Sequence, residues 1–183
     1  MDLTARSQQA VSTAVKTAAE FGNPAVEPAH LAVALLDDAE GLTRPLLQAI
    51  GVDPLAIRAE AQRLVDALPK ASGSSVAAPA TSRGVLATLS AAEREARGRN
   101  DEYVSTEHLL IGLAESGGDI ADLLKQHGIT PAALRDALQS VRGSQRVTSA
   151  DPEGTFQALE KYAVDLTAAA REGKIDPVIG RDA

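Results

Sequence analysis

The sequence predicts an all-α protein: a four-helix unit present twice, making a pseudo-twofold pair with eight helices, then a flexible linker and one further helix. Three observations predict it. Apolar residues make up 44 % of the 183 residues but aromatic ones only 2 %. The core must therefore be built from Ala, Leu, Val and Ile, and alanine-rich chains favour closely packed helices. The second half also repeats the first, punctuation included. Finally, apolar residues step by three and four along each segment, and no alternating β-branched run competes.

The repetition is specific. Gly41, Leu46, Leu47, Gly51, Pro54 and Arg58 recur 77 residues later as Gly118, Leu123, Leu124, Gly128, Pro131 and Arg135. Thr4, Arg6 and Asn23 find Thr81, Arg83 and Asn100 at the same interval, while "VEPAHL" (26–31) meets "VSTEHL" (104–109) at 78. A chance likeness between helical segments shares the apolar rhythm but not its punctuation, so the match reads as a duplication.

The elements follow in order. In the first copy helices are expected near 4–21, 28–37, 42–50 and 54–68, and in the second near 81–98, 106–116, 119–126 and 131–141. Glu27-Pro28, Asp53-Pro54, Ser105-Thr106 and Thr130-Pro131 supply starts, a cap followed by the first helical residue. Gly51 and Gly128 suit the left-handed residue past a helix end. Ile57, Ala61, Leu64 and Leu68 mark one apolar face, and Leu134, Leu138 and Val141 mark its counterpart. Between the copies, "PKASGSSVAAPAT" (69–81) reads as an extended connection. One copy cannot cover its own apolar faces, so the two should form a single domain over 1–141, with repeats at 1–68 and 81–141 and a connecting loop at 69–80. Residues 142–152 read as a polar linker with one apolar residue, Val147. Beyond it, Phe156, Leu159, Ala163, Leu166 and Ala170 mark a helix over roughly 153–172 whose apolar stripe needs a partner elsewhere.

Composition narrows function. The net charge of −7 offers no footprint for nucleic acid, and Arg94, Arg97 and Arg99 are interleaved with acidic residues as on a solvated face. The chain has no cysteine, an N-terminus without an apolar signal region, and no run near the ~20 apolar residues of a membrane span, so a cytoplasmic protein is expected. His30 and His108 occupy equivalent repeat positions at helix starts, which suits packing or capping residues. No phosphate-loop pattern occurs, and no nucleophile–base or metal-ligand constellation can be assembled. Catalytic residues and metal ligands are therefore both expected to be none.

The duplicated pattern, with "EYVSTEHLLIGL" (102–113) opening a helix, resembles the Clp N-terminal repeat domain of bacterial AAA+ unfoldases. The segment "ALEKYAVDLTAAAREGKIDPVIGRD" (158–182) resembles the entry to the first ATPase module in that group, its "KY…DLT" portion closer to the ClpB-type disaggregases than to the ClpA or ClpC protease partners. The resemblance implies that 153–183 begins such a module. It implies ATP and Mg as cofactors of the longer protein, with Val178 and Ile179 against adenine, and none for 1–141. It also implies a homohexameric parent working with DnaK, a monomeric fragment, and binding of unfolded or aggregated polypeptide. An alternative is docking of folded adaptors, as in the ClpC and ClpA partners of proteases. By resemblance the substrate surface falls on Thr4, Asp101, Glu107 and His108, with apolar positions including Leu89 and, beside the "STE" helix, Tyr103. Independently, Val85, Leu86 and Leu89 are more apolar than Gln8, Gln9 and Ser12, the residues 77 positions earlier. Either they pack under the 69–81 loop, or they line a shallow groove for an extended peptide. The polar residues keep ordinary readings too: Thr4 as a helix cap, Glu107 at a helix dipole, Asp101 in a turn.

Overall fold

The computed structural model describes residues 1–71, 78–143, 147–150 and 152. Its helices are α1 (Ala5–Glu20), α2 (Pro28–Asp37), α3 (Thr43–Ile50) and α4 (Pro54–Asp66), then α5 (Arg83–Gly98), α6 (Thr106–Ser116), α7 (Asp119–Gln126) and α8 (Pro131–Arg142). The expected eight helices are present, and their starts are built as the sequence suggests. Thr4 caps α1 from outside, its hydroxyl accepting the Ser7 N–H at 3.2 Å. Asp53 and Thr130 accept the Leu55 and Ala133 N–H groups at 3.0 and 3.1 Å, each followed by proline at the first helical position. Gly51 closes α3 with φ 96°, a left-handed conformation that glycine adopts without a Cβ penalty.

Helices α2 and α6 are apolar nearly all round and fill the centre, with Leu31, Leu35, Leu109, Ile111 and Leu113 fully buried. The two copies interleave: α3 packs mainly against α8, and α4 also packs against α7. Within the second copy α5 lies close on α6, because Gly112 lets the backbones meet; a Cβ there would stand 2.5 Å from the Thr88 carbonyl oxygen.

Three features differ from the sequence reading. Two short strands are present, β1 (Ala25–Val26) and β2 (Ala80–Thr81), paired in parallel, and Leu3 bridges Val104 in the same sense. Two-residue strands are too short to show alternation. Each pairing joins the entry to one copy's first helix to the entry to the other copy's second helix, so the copies exchange strands reciprocally.

The repeat register is also simpler than expected. α1 and α5 begin at Ala5 and Arg83, so the counterparts of Thr4 and Asn23 are Ser82 and Asp101, at 78, not Thr81 and Asn100. Ser82 caps α5, while Asn100 is left-handed at φ 60°. One length change, between α2 and α3, then returns the interval to 77. Val85, Leu86 and Leu89 accordingly match Ser7, Gln8 and Val11.

The interior, lastly, extends beyond residue 141. Arg142, the last residue of α8, is buried, and Val147, expected in the linker, is fully buried and joins the core. The helix expected at 153–172 lies outside the described residues.

Candidate functional site

The two copies carry matching polar clasps. In each, the residue three positions into the second helix is a histidine whose Nδ1 accepts the backbone N–H at the helix start, Glu27 for His30 at 2.8 Å and Ser105 for His108 at 2.9 Å. Because Nδ1 accepts, the ring proton sits on Nε2. That nitrogen donates to Asn23 Oδ1 at 2.9 Å in the first copy and to Asp101 Oδ2 at 2.7 Å in the second. Burial is the main cause that lowers the His30 pKa below its ordinary value. The histidines thus carry the capping role their positions suggest.

The copies diverge in what the Asn or Asp does next. Asn23 donates its amide to the Pro69 carbonyl at 2.9 Å. Asp101 has only acceptors, and its Oδ1 collects the Arg142 guanidinium at 2.5 Å and the Val147 N–H at 2.9 Å. Burial pushes the Asp101 pKa up, but hydrogen bonds from His108, Arg142 and Val147 outweigh it and hold the carboxyl at about 2. Arg142 also reaches Glu107 Oε2 at 3.2 Å, while Glu107 Oε1 is buried without a hydrogen-bond partner. Glu107 stands in the first turn of α6, where the helix dipole favours a carboxylate.

Ser105, His108 and Asp101 form a hydrogen-bonded chain, with Ser105 Oγ 3.1 Å from His108 Nδ1. It cannot serve as a hydrolytic triad in this setting. All three side chains are buried, leaving no room for a substrate carbonyl, and Nδ1 is already engaged by a backbone N–H. Among the described residues no group of three or more His, Cys, Asp or Glu is arranged to hold a metal ion.

The sequence-predicted residues therefore fall into two sets. Thr4, Asp101, Glu107 and His108, expected to line a peptide groove, are all buried and offer a peptide no side-chain surface. Asp101 and Glu107 are held in by Arg142, and Asp101 also by Val147, neither of which was expected in the core. The only sequence signal for this was Val147, a lone apolar residue in a polar run. Val85 is also buried, Leu89 and Tyr103 are half-buried, and Leu86 is 54 % exposed. Val178 and Ile179 lie outside the described residues.

Leu86, Leu89 and Glu93 step along one face of α5, and the Met1 ammonium lies 3.6 Å from Glu93 Oε1. The N-terminus thus lies beside this face, and Leu3 pairs with Val104, next to Tyr103 in sequence. Leu86 and Leu89, one helical turn apart, form a short apolar strip on this face near Met1. Leu55 is more exposed, at 63 %, but the residues three and four positions on are Arg58 and Ala59, so it extends into no stripe. A separate groove of about 300 Å³, lined by Pro28, Leu64, Leu68 and Gly84 among others, holds none of the predicted residues.

Residues 2–127 match the family described as the Clp repeat (R) N-terminal domain. The chain is 58 % identical to the chaperone protein ClpB of Corynebacterium efficiens and 54 % identical to that of Mycobacterium tuberculosis. In both cases the match covers 98 % of this chain but 21 % of the relative, so the chain spans 21 % of their length. The fold is similar to the Hsp104 N-terminal domain from Candida albicans, with TM-score 0.73, 20 % identity, and coverage of 84 % of this chain and 99 % of that one. It is also similar to the ClpV N-domain solved in complex with a VipB peptide, with TM-score 0.60, 18 % identity, and coverage of 75 % and 85 %.

Proposed function

We propose that this chain, which belongs to the Clp repeat (R) N-terminal domain family, is the non-catalytic, polypeptide-binding part of a ClpB-type ATP-dependent disaggregase. The observation that carries the reading is the exposed Leu86, one helical turn before the half-buried Leu89 in a short apolar strip, on the face of α5 that the N-terminus approaches through Met1 and Glu93, where Leu3 pairs with Val104. An extended, unfolded segment offers what such a strip takes: apolar side chains and an unpaired backbone. The peptide-bound ClpV N-domain supports the reading by analogy of fold.

In this reading Thr4, Glu107 and His108 do not touch the client, and Asp101 is covered as long as Val147 is in place. They hold the Leu3–Val104 edge and the loop before α6 in shape, so their loss would lower binding indirectly. Client aggregates, hexamer formation, cooperation with DnaK, and the ATP and Mg of the longer protein belong to the same proposal; the 1–141 unit itself needs no cofactor.

Contact is apolar and small, so binding should be weak and tolerant of salt. Fluorescence anisotropy with a labelled, reduced and carboxymethylated α-lactalbumin tests this at low and high salt. The expected result is saturable binding that changes little with salt and weakens severalfold in Leu86→Ser. Binding lost at high salt, or unchanged by Leu86→Ser, would count against it. Capture of one folded adaptor in stoichiometric amount, with no affinity for the unfolded probe, would favour the adaptor-docking alternative instead.

A further inference from the structure

Residues 147–150 make three main-chain links to the rest of the domain. The Val147 carbonyl accepts the Glu102 N–H at 2.7 Å, the Val147 N–H reaches Asp101, and the Ala150 carbonyl accepts the Ala5 N–H at 2.8 Å. The Ala5 N–H belongs to the first turn of α1, where the helix itself supplies no acceptor. One side chain, Val147, fills an apolar socket and is fully buried, while Thr148, Ser149 and Ala150 remain exposed. Main-chain hydrogen bonds for hold and a side-chain pocket for selection are how extended peptides are recognised.

Duplication alone does not demand this plug. The position equivalent to Val147 in the first copy, at the 77-residue interval, is Lys70, which is exposed. The first copy's segment docks only by its backbone, through Asn23 to Pro69 and Ala71 N–H to the Gly22 carbonyl at 2.7 Å. The buried anchor, and the carboxylate that receives its N–H, belong to the second copy only.

We propose that the segment 147–150 is a tethered occupant of a peptide site, standing in the place of an extended client segment that carries a β-branched aliphatic anchor. This rests on the polypeptide-binding reading above and names the class of segment that would be selected. The site offers the Glu102 and Ala5 N–H groups, the Asp101 carboxylate and one small apolar socket. Arg142 stays in α8 when the strap leaves, so Asp101 and Glu107 keep a cation and the site survives displacement. Because recognition is chiefly by backbone, it tolerates many sequences. A client that takes the socket also frees the strap, lengthening the tether to whatever follows residue 150.

The chain has no cysteine, so Ala5→Cys with Ala150→Cys places a single switchable lock across the strap in the full 183-residue chain. Two probes are used: a labelled peptide copying residues 145–152, and carboxymethylated α-lactalbumin. Oxidation is expected to weaken both by about tenfold or more, and reduction to restore them. In the chain without the lock, Val147→Ser, which empties the socket in cis, is expected to tighten binding of the labelled peptide by about tenfold, with hydrogen exchange of α6 unchanged as the check on folding. Unfolded-protein binding that is equal in both redox states overturns the strap while leaving the polypeptide-binding reading intact. No binding of α-lactalbumin in either state overturns both.

Discussion

Asn23 and Asp101 hold the same position in the two copies, each accepting a hydrogen bond from a buried histidine Nε2, at 2.9 and 2.7 Å. One is neutral and one is charged because their second partners differ: a carbonyl for Asn23, a guanidinium and a backbone N–H for Asp101. Asp101→Asn therefore strands Arg142 and turns an amide donor toward other donors. Breaking a buried pair from one side costs about 3–5 kcal/mol, and a loss near the lower end is expected since Glu107 remains. Asn23→Asp faces a carboxylate to the Pro69 carbonyl and should cost about 1–3 kcal/mol. Urea unfolding of both variants checks the order; a larger loss for Asn23→Asp would contradict it.

Acid should weaken the second copy's clasp. Asp101 has a folded pKa of about 2 against 3.8 for the free side chain, so it stays charged in the fold where the unfolded chain takes up a proton. Its contribution, about 2 kcal/mol, is complete above 3.8 and disappears as pH falls through about 2. Stability curves in that window should flatten in Asp101→Asn.

His30 gives a separate dependence at higher pH. Burial lowers its folded pKa below 6.5, so the unfolded ring binds a proton first and stability falls as pH drops beneath 6.5. Protonation would also break the Nδ1 bond from the Glu27 N–H. His30→Gln keeps an acceptor at the third helical position and should reduce the slope of melting temperature against pH below 6.5. An unchanged slope would show that this ring is not the group responsible.

Gly112 is required by the closeness of α5 and α6. Alanine there would place Cβ 2.5 Å from the Thr88 carbonyl, a backbone atom that cannot swing aside. Gly112→Ala should cost about 1–3 kcal/mol although alanine is the better helix former, whereas Gly98→Ala, with open space around it, should be neutral or stabilising.

Helix positions were legible because local chemistry carries them: Thr4, Asp53 and Thr130 cap, and Gly51 ends a helix, by interactions within a few residues. Arg58 and Arg135, recurring at 77, prove to make matching ion pairs, with Asp37 and Glu115. Long-range pairings were not legible. The Leu3–Val104 bridge and the β1–β2 pair span too few residues to leave a period. The arginine that meets Asp101 is 41 residues away in the chain. The resemblance placed Thr4, Asp101, Glu107 and His108 at a surface, and no local signal in the chain showed that they are buried. Arg142 and Val147, which hold Asp101 and Glu107 inside, lie in a stretch whose polarity suggested a linker.

The central claim is that an unfolded chain lies along the strip beside the Leu3–Val104 edge. Amide-resolved NMR titration of the 183-residue chain with carboxymethylated α-lactalbumin tests it directly. The predicted result is progressive shifts at Leu86, Leu89, Tyr103, Val104 and Val147, with the first-copy counterparts Val11 and Val26 still. Shifts confined to the Pro28–Leu64–Gly84 groove, or none at saturating probe, would contradict it.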